Sequence, residues 1–171
     1  MTHSDTSTTL AELLQQSGEQ LVFAESCTAG LASATLASVA GISQHLCGSA
    51  VVYQIPTKVA WLDIVPALID QHGYVSQKVA IAMAEGVLDL TSHATLAASI
   101  TGDLGPNASP ETDGTAWIAV MSRDSRRLIK HVELPASVPD ELTDPKITLR
   151  LHRQHAAVEY LLQSVIEFLK S

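Results

Sequence analysis

Short apolar segments of strand type alternate with segments of helical period over about the first hundred residues. That alternation is the strongest constraint on the fold. "QLVFAE" (20–25) and "GSAVVYQ" (48–54) read as strands, each followed by a helix-like stretch. "CTAGLASATLASVAG" (27–41) predicts a helix ending at Gly41, and "PALIDQHG" (66–73) a short one stopped by Gly73. The firmest helix is "SQKVAIAMAEGVLDLT" (76–91). Ser76 is its natural N-cap, and Val79, Met83 and Val87 with Ala80, Ala84 and Leu88 form one apolar face. After it the pattern changes. "ATLAASIT" (94–101) and "GTAWIAVMS" (114–122) are strands on either side of a Gly/Pro/Asn/Asp loop, and "RRLIKHVEL" (126–134) alternates as an edge strand does.

Alternating strands and helices give an α/β fold, a three-layer α/β/α sandwich in a single domain over 1–171. The adjacent strands late in the chain make the sheet mixed rather than purely parallel. At the start, "TLAELLQQSG" (9–18) reads as a helix capped by Thr8 or Thr9, which leaves residues 1–7 as a disordered tail. A proline-bearing loop over 135–145 precedes a long helix from about 146 to 170, with Leu151, Val158, Leu162, Val165 and Leu169 inward.

Composition narrows the classes of function. The chain of 171 residues is 46% apolar, enough for a sizeable core, and only 4% aromatic. Its abundant alanine implies close packing of helix on sheet. A net charge of −8 argues against a nucleic-acid or anionic-membrane partner. Cys27 and Cys47, without an accompanying Cys/His array, make neither a disulfide framework nor a zinc site. The opening residues lack the pattern of a signal peptide, and no apolar run approaches the roughly 20 residues of a membrane span. The expected location is the cytoplasm.

Three stretches hold residues suited to chemistry. "AESCTAGL" (24–31) sits where a strand hands over to a helix. Unpaired N–H groups at such a helix start attract anions, and Ser26 and Thr28 add hydroxyls. The plain alternative is a helix cap with Glu25 in water. "TGDLGP" (101–106) follows a strand, with Gly102 and Gly105 free to adopt unusual backbone conformations and Pro106 stiffening the exit. It opens a long loop, which is either functional or a mere extended connection. In "GISQHLCGSAVVYQIPTK" (41–58), Ser43 could be a nucleophile and Lys58 its base if the lysine were neutral, with Tyr53 between them. Spacing alone favours the simpler reading, in which Ser43 caps a turn and Lys58 is solvated. His152 and His155 lie three apart on the last helix, but a third metal ligand is not evident.

Taken together and in order, "AESCTAGL", "GISQHLCGSAVVYQIPTK", "HGYVSQKVAIAMAEG" and "TGDLGP" resemble the CinA C-terminal-domain family, named for the competence-damage-inducible protein, over roughly residues 8–170. The resemblance implies an α/β/α layered fold. It also implies, for active members, hydrolysis of the carboxamide of nicotinamide mononucleotide to nicotinic acid mononucleotide and ammonia, a step in NAD recycling. It places the family's Ser/Lys pair at Ser43 and Lys58 and its tyrosine at Tyr53. Ser26 is the rival nucleophile, better suited to binding. Substrate binding falls to Glu25, Ser26, Cys27, Thr28, Gly30, Thr101, Gly102 and Gly105, with the phosphate at the "SCTAG" helix start. No metal or organic cofactor is implied, and the expected assembly is a homo-oligomer, a dimer or larger.

The chain departs from the family text at the presumed phosphate side. Ala29 stands where a second glycine is usual, Pro56 precedes Lys58, and Asp103 puts an acid in the "TGDLGP" loop. Glu111 and Asp113 are extra acids, and the usual arginine before the last helix gives way to Thr148, with Arg150 and Arg153 the nearest substitutes. The competing expectation is therefore a substrate-shifted or catalytically inactive relative that binds a small ligand or a partner protein.

Overall fold

The structure, a computed structural model, describes residues 3–140, 142, 144 and 147–171. Its elements run α1 (His3–Ser17), β1 (Leu21–Glu25), α2 (Leu31–Ala37), a 3₁₀ turn (Ile42–Gln44), β2 (Leu46–Val51), α3 (Ile55–Leu62), α4 (Pro66–His72), α5 (Gln77–Leu90), β3 (Leu96–Asp103), β4 (Thr115–Ser122), β5 (Arg127–Glu133) and α6 (Leu149–Lys170). The sheet has the order β2-β1-β3-β4-β5. β1 lies parallel to β2 and to β3, while β4 runs antiparallel to both its neighbours. The mixed sheet expected from the late pair of strands is present.

β1 is buried at every residue, as a strand covered on both faces must be. Its alternate side chains enter different cores. Leu21 and Phe23 pack with α1, α2 and α6, while Val22 and Ala24 pack with α3, α4 and α5. Ala24, Ala97 and Ala119 keep the second face low, so that α5 sits close on the strands. α5 carries the apolar face expected of it, with Val79, Ala80, Met83, Ala84, Val87 and Leu88 buried. Its first turn is capped by Ser76 Oγ, which accepts from Val79 N–H at 3.3 Å.

Four expectations are corrected. Residues 3–7 belong to α1 rather than to a tail, and Thr6 and Ser7 are buried. Thr6 Oγ1 donates to the Glu159 carboxylate on α6 at 2.5 Å, which holds that end of the helix down. Residues 1 and 2 of the expected tail lie outside the described residues. α2 is shorter than the alanine-rich run suggested, because Ala29 and Gly30 both take left-handed backbone conformations that a helix does not admit. β2 begins two residues earlier than expected, at Leu46, and ends before Tyr53. Residues 55–62, assigned no element from the sequence, form α3. Pro56 stands in its first turn, where the missing N–H has no partner to lose. Part of the loop expected over 135–145 lies outside the described residues, at 141, 143 and 145.

The connections place the site. The chain leaves β1 for α2 on one face of the sheet and leaves β2 for α3 on the other. Two adjacent parallel strands whose connections part to opposite faces leave a crevice at their carboxyl ends, the usual place for a ligand in an open α/β sheet.

Candidate active site

Ser26 directly follows β1, and its N–H continues the ladder by donating to the Ile100 carbonyl at 3.1 Å. Lys58, in the first turns of α3, reaches into the crevice. Its Nζ lies 2.9 Å from Ser26 Oγ, 2.8 Å from the Val52 carbonyl oxygen and 3.4 Å from that of Tyr53. Both side chains are withdrawn from water, Lys58 to 1% exposure and Ser26 to 6%. Burial disfavours the ammonium and lowers Lys58 from the usual 10.5 to about 8. At that value about one molecule in ten carries a neutral amine at pH 7, ready to accept a proton. The fixed carbonyls hold Nζ toward the serine and leave it little freedom to turn away.

Glu25, one residue before Ser26, does the opposite of facing water. It is fully buried. Its carboxylate accepts from Thr28 Oγ1 at 2.8 Å, from the N–H groups of Gly30, Ala32 and Ser33 at 3.0 Å each, and from Ser49 Oγ at 2.9 Å. The anion site at the start of α2 therefore exists, and a side chain of the protein fills it. A substrate phosphate has no room there, which corrects the expectation for the "SCTAG" turn.

Ser26 opens into a cleft of about 200 Å³ lined also by Cys27, Tyr53, Tyr74, Gly102, Asp103, Leu104 and Arg150. Arg150, on the first turn of α6, donates through Nη2 to Tyr53 Oη at 2.6 Å and through Nη1 to the Gly105 carbonyl. Two of its five donors are so engaged, and the others remain for a ligand. Asp103 accepts from Tyr74 Oη at 3.1 Å and from Thr112 Oγ1 at 3.2 Å. Burial of its ring, and then the carboxylate beside it, raise the Tyr74 phenol above its ordinary range. Cys27 is not a nucleophile of this cleft, since burial pushes its thiol up to about 12.

Comparison with known proteins gives the family. The model of the CinA C-terminal domain matches residues 3–140. The chain belongs to the CinA C-terminal domain family. A CinA-like protein of Mycobacterium tuberculosis is 39% identical over 145 residues, 84% of this chain and 33% of the relative. A CinA-like protein of Myxococcus xanthus is 40% identical over 111 residues, 64% of this chain and 26% of that protein. The chain thus spans about a third of the length of the curated relatives it matches. Among solved structures, competence damage-inducible protein A from Klebsiella pneumoniae has the same fold, with a TM-score of 0.87 at 23% identity over 99% of this chain and 98% of the other. The competence/damage inducible protein CihA from Agrobacterium tumefaciens superposes with a TM-score of 0.79 at 26% identity, over 95% and 94% of the two chains.

In this CinA domain the expected Ser43–Lys58 pair does not form. Ser43 is exposed in the 3₁₀ turn before β2, whereas Lys58 lies beyond the opposite end of that strand. The strand's six residues, at about 3.3 Å each, set the two roughly 20 Å apart. Ser43 instead lines a separate polar hollow with His45, Cys47 and His93. Lys58 is neither beside Ser43 nor in bulk water; it is on Ser26. Tyr53 does not bridge the pair either. Its hydroxyl is turned to Arg150, and only its backbone carbonyl touches Lys58.

The binding residues expected from the sequence divide. Ser26, Cys27 and Gly102 line the cleft. Glu25, Thr28 and Gly30 build the α2 cap instead. Thr101 is buried, with its hydroxyl donated to the Tyr74 carbonyl at 2.7 Å. Gly102 has a packing reason as well, because a Cβ there would stand 2.6 Å from that of Ala116 on β4. Gly105 takes a left-handed conformation, and a Cβ on it would meet Asp113 Oδ1 at 2.7 Å. Of the two extra acids, Asp113 is paired with Arg153 through contacts of 2.8 and 3.0 Å, and Glu111 is bonded to Ser109. Ala29 is exposed and outside the cleft lining. Tyr74 and Leu104 went unnoticed in the sequence because nothing in their spacing ties them to Ser26; the fold alone brings them there. Among the described residues, no group of three or more His, Cys, Asp or Glu side chains is placed to hold a metal ion. No helix among them is long and apolar enough to cross a membrane.

Proposed function

We propose that the protein is a Ser/Lys amidase in which Ser26 is the nucleophile and Lys58 the general base, acting on the carboxamide of nicotinamide mononucleotide or a close relative. The observation that carries this reading is the 2.9 Å contact between Lys58 Nζ and Ser26 Oγ in a desolvated crevice that opens to a cleft. A lysine kept only as a structural cation would not need a buried serine as partner, and burial costs its charge dearly.

The steps follow from these positions. Neutral Lys58 takes the proton of Ser26 as Oγ attacks the amide carbon. The resulting oxyanion needs donors held at about 2.7–3.1 Å, a role that falls to backbone N–H groups of residues lining the cleft, Cys27, Asp103 and Leu104. As the C–N bond breaks, Lys58 passes its proton to the leaving nitrogen, and ammonia departs. Water then attacks the acyl-enzyme, giving its proton to Lys58; the ester bond breaks and Ser26 regains its proton. Arg150 is the group suited to the substrate's phosphate, now that Glu25 occupies the start of α2.

The competing reading, a relative without catalysis, loses two of its supports. Ala29 lies outside the cleft, and Arg150 supplies a guanidinium within it. The third, Asp103, stays in the cleft lining, where an acid bears on which ring is bound and leaves the Ser26–Lys58 contact untouched.

The test is ammonia release from nicotinamide mononucleotide by the purified chain, beside Ser26→Ala and Lys58→Met. Turnover by the native protein, abolished in both variants, is the expected result. No release at millimolar substrate from a folded protein refutes the assignment to this nucleotide. Equal release by Ser26→Ala refutes the nucleophile.

A further inference from the structure

Two opposite charges share the cleft without pairing. Arg150 is engaged by the Gly105 carbonyl and the Tyr53 hydroxyl, both neutral. Asp103 is held by Tyr74 Oη, by Thr112 Oγ1 and by the Gly105 N–H at 3.4 Å, all neutral donors. The ion pairs Arg126–Asp124, Lys130–Glu167 and Arg153–Asp113 involve neither Asp103 nor Arg150. The neighbouring loop carries two more acids, Asp113 clamped by Arg153 and Glu111 bonded to Ser109. Of the three, Asp103 is the one that lines the cleft.

Its place along β3 is also defined. Ser26 N–H binds the Ile100 carbonyl, and Asp103 ends the same strand three residues further on, about 10 Å along it. A ring whose carboxamide reaches Ser26 would therefore extend toward Asp103. The half-exposed rings of Tyr53 and Tyr74 border the same space, and aromatic faces favour a cation.

We propose that Asp103 is a specificity-determining residue that recognises a positive charge on the ring bearing the scissile carboxamide, while Arg150 takes the substrate's anionic group. The inference rests on the amidase reading only for the direction in which the carboxamide points. An uncharged ring would leave the carboxylate facing an apolar edge and would bind less well.

The experiment measures binding to the full chain carrying Ser26→Ala, by ligand-observed NMR. The probes are 1-methylnicotinamide, a cation, nicotinamide, its neutral counterpart, and nicotinamide riboside, which adds ribose hydroxyls to the cation. The expected result is that 1-methylnicotinamide binds about tenfold tighter than nicotinamide, and that Ser26→Ala with Asp103→Asn brings the ratio close to one. Equal affinities, or a ratio unmoved by Asp103→Asn, overturn the proposal. So does a loss confined to the riboside, which would make Asp103 a reader of hydroxyl groups. Should Asp103→Asn unfold the chain, the salt dependence of the ratio in Ser26→Ala decides. Exposed charges are screened within about 8–10 Å near physiological ionic strength, so the preference must fall as salt rises, and a ratio indifferent to salt refutes it. Failure of the native chain to release ammonia from nicotinamide mononucleotide would refute the assignment to that nucleotide and leave this comparison of affinities intact.

Discussion

At the carboxyl ends of β1 and β2 a serine hydroxyl rests against a buried lysine; at their amino ends Ser43, His45, Cys47 and His93 border a polar hollow open to water. By residue type the second region looks the more reactive, with two imidazoles, a thiol and a hydroxyl. What separates them is the way the chain leaves the strands. At the carboxyl ends the connections part to opposite faces and draw α2 and α3 over the crevice, so that Lys58 loses its water and with it much of its basicity. At the amino end the residues lining the hollow come from loops, the 3₁₀ turn and β2. Ser43 stays exposed, and His45 is engaged through Nδ1 by the Glu19 carbonyl at 2.9 Å. Reactive groups are made by desolvation and a suitable partner, and at the carboxyl ends the fold buries a base directly against a hydroxyl.

The comparison breaks most plainly at the two serines. Ser26→Ala is expected to lower amidase turnover by at least about 10³-fold, the scale of losing a nucleophile, while Ser43→Ala stays within about twofold. Steady-state ammonia release on the two variants measures it. A large loss at Ser43 with Ser26 tolerant would reverse the assignment of the two ends.

Glu25 gives the next largest effect, on stability. Glu25→Ala strips an acceptor from three N–H groups, that of Ala32 buried and those of Gly30 and Ser33 partly so, and from two hydroxyls. At roughly 1–3 kcal/mol for each donor left unpaired, a loss of about 4 kcal/mol or more is expected in urea unfolding. At the amino end, His45→Ala removes one half-exposed contact and should cost less than about 1 kcal/mol. Similar costs at both positions would show that the carboxylate does not hold the turn together.

How much of this was legible in the sequence depends on which interactions are local. The α5 face and its Ser76 cap follow from periodicity and a single side chain, and both are present as expected. The alternation of elements gave the layered fold. α3 was missed because proline reads as a breaker unless it is known to stand in a first turn. The Ser26–Lys58 contact joins residues 32 apart across two strand ends, and no spacing rule distinguishes it from Ser43 with Lys58. Glu25 shows the same limit. As a residue type it belongs in water, and only its five donors, one of them from β2, explain its burial. Arg150 was visible merely as a nearby substitute for a missing arginine; its place in the cleft comes from the docking of α6.

Lys58 supplies a prediction with a defined pH window. Its folded-state value of about 8 lies below the usual 10.5. Between those values the unfolded chain binds the proton and the folded chain does not, so stability rises with pH across that window. Relative to Lys58→Met, which cannot titrate, the native protein should gain about 2–3 kcal/mol from pH 8 to pH 10. Cys27, raised to about 12 by burial, acts in the opposite sense above pH 9, and the paired variant cancels it. The kinetic counterpart is kcat/KM that climbs with pH and levels off above about 8 as Lys58 becomes neutral. A flat profile between pH 6 and 9 would show that the lysine works as a cation.

The smallest effect lies in the turns themselves. The turn before β2 uses Gly41 for its left-handed residue, with φ 86°, whereas the turn after Ser26 uses Ala29, with φ 53°. A Cβ in that region costs roughly 1–2 kcal/mol, and the extra freedom glycine gives the unfolded chain returns about half to one of it. Ala29→Gly is thus expected to stabilise the fold by about 0.5–1 kcal/mol, a rise of roughly 1–4 °C in Tm for a chain of this size. Because Ala29 is outside the cleft, turnover should not change. A Tm that rises while turnover falls would mean that the strained turn helps to aim Ser26 at Lys58. A Tm that stays fixed would mean that neighbouring contacts, such as the Ala29 N–H to Ser26 carbonyl bond at 3.1 Å, already offset the strain.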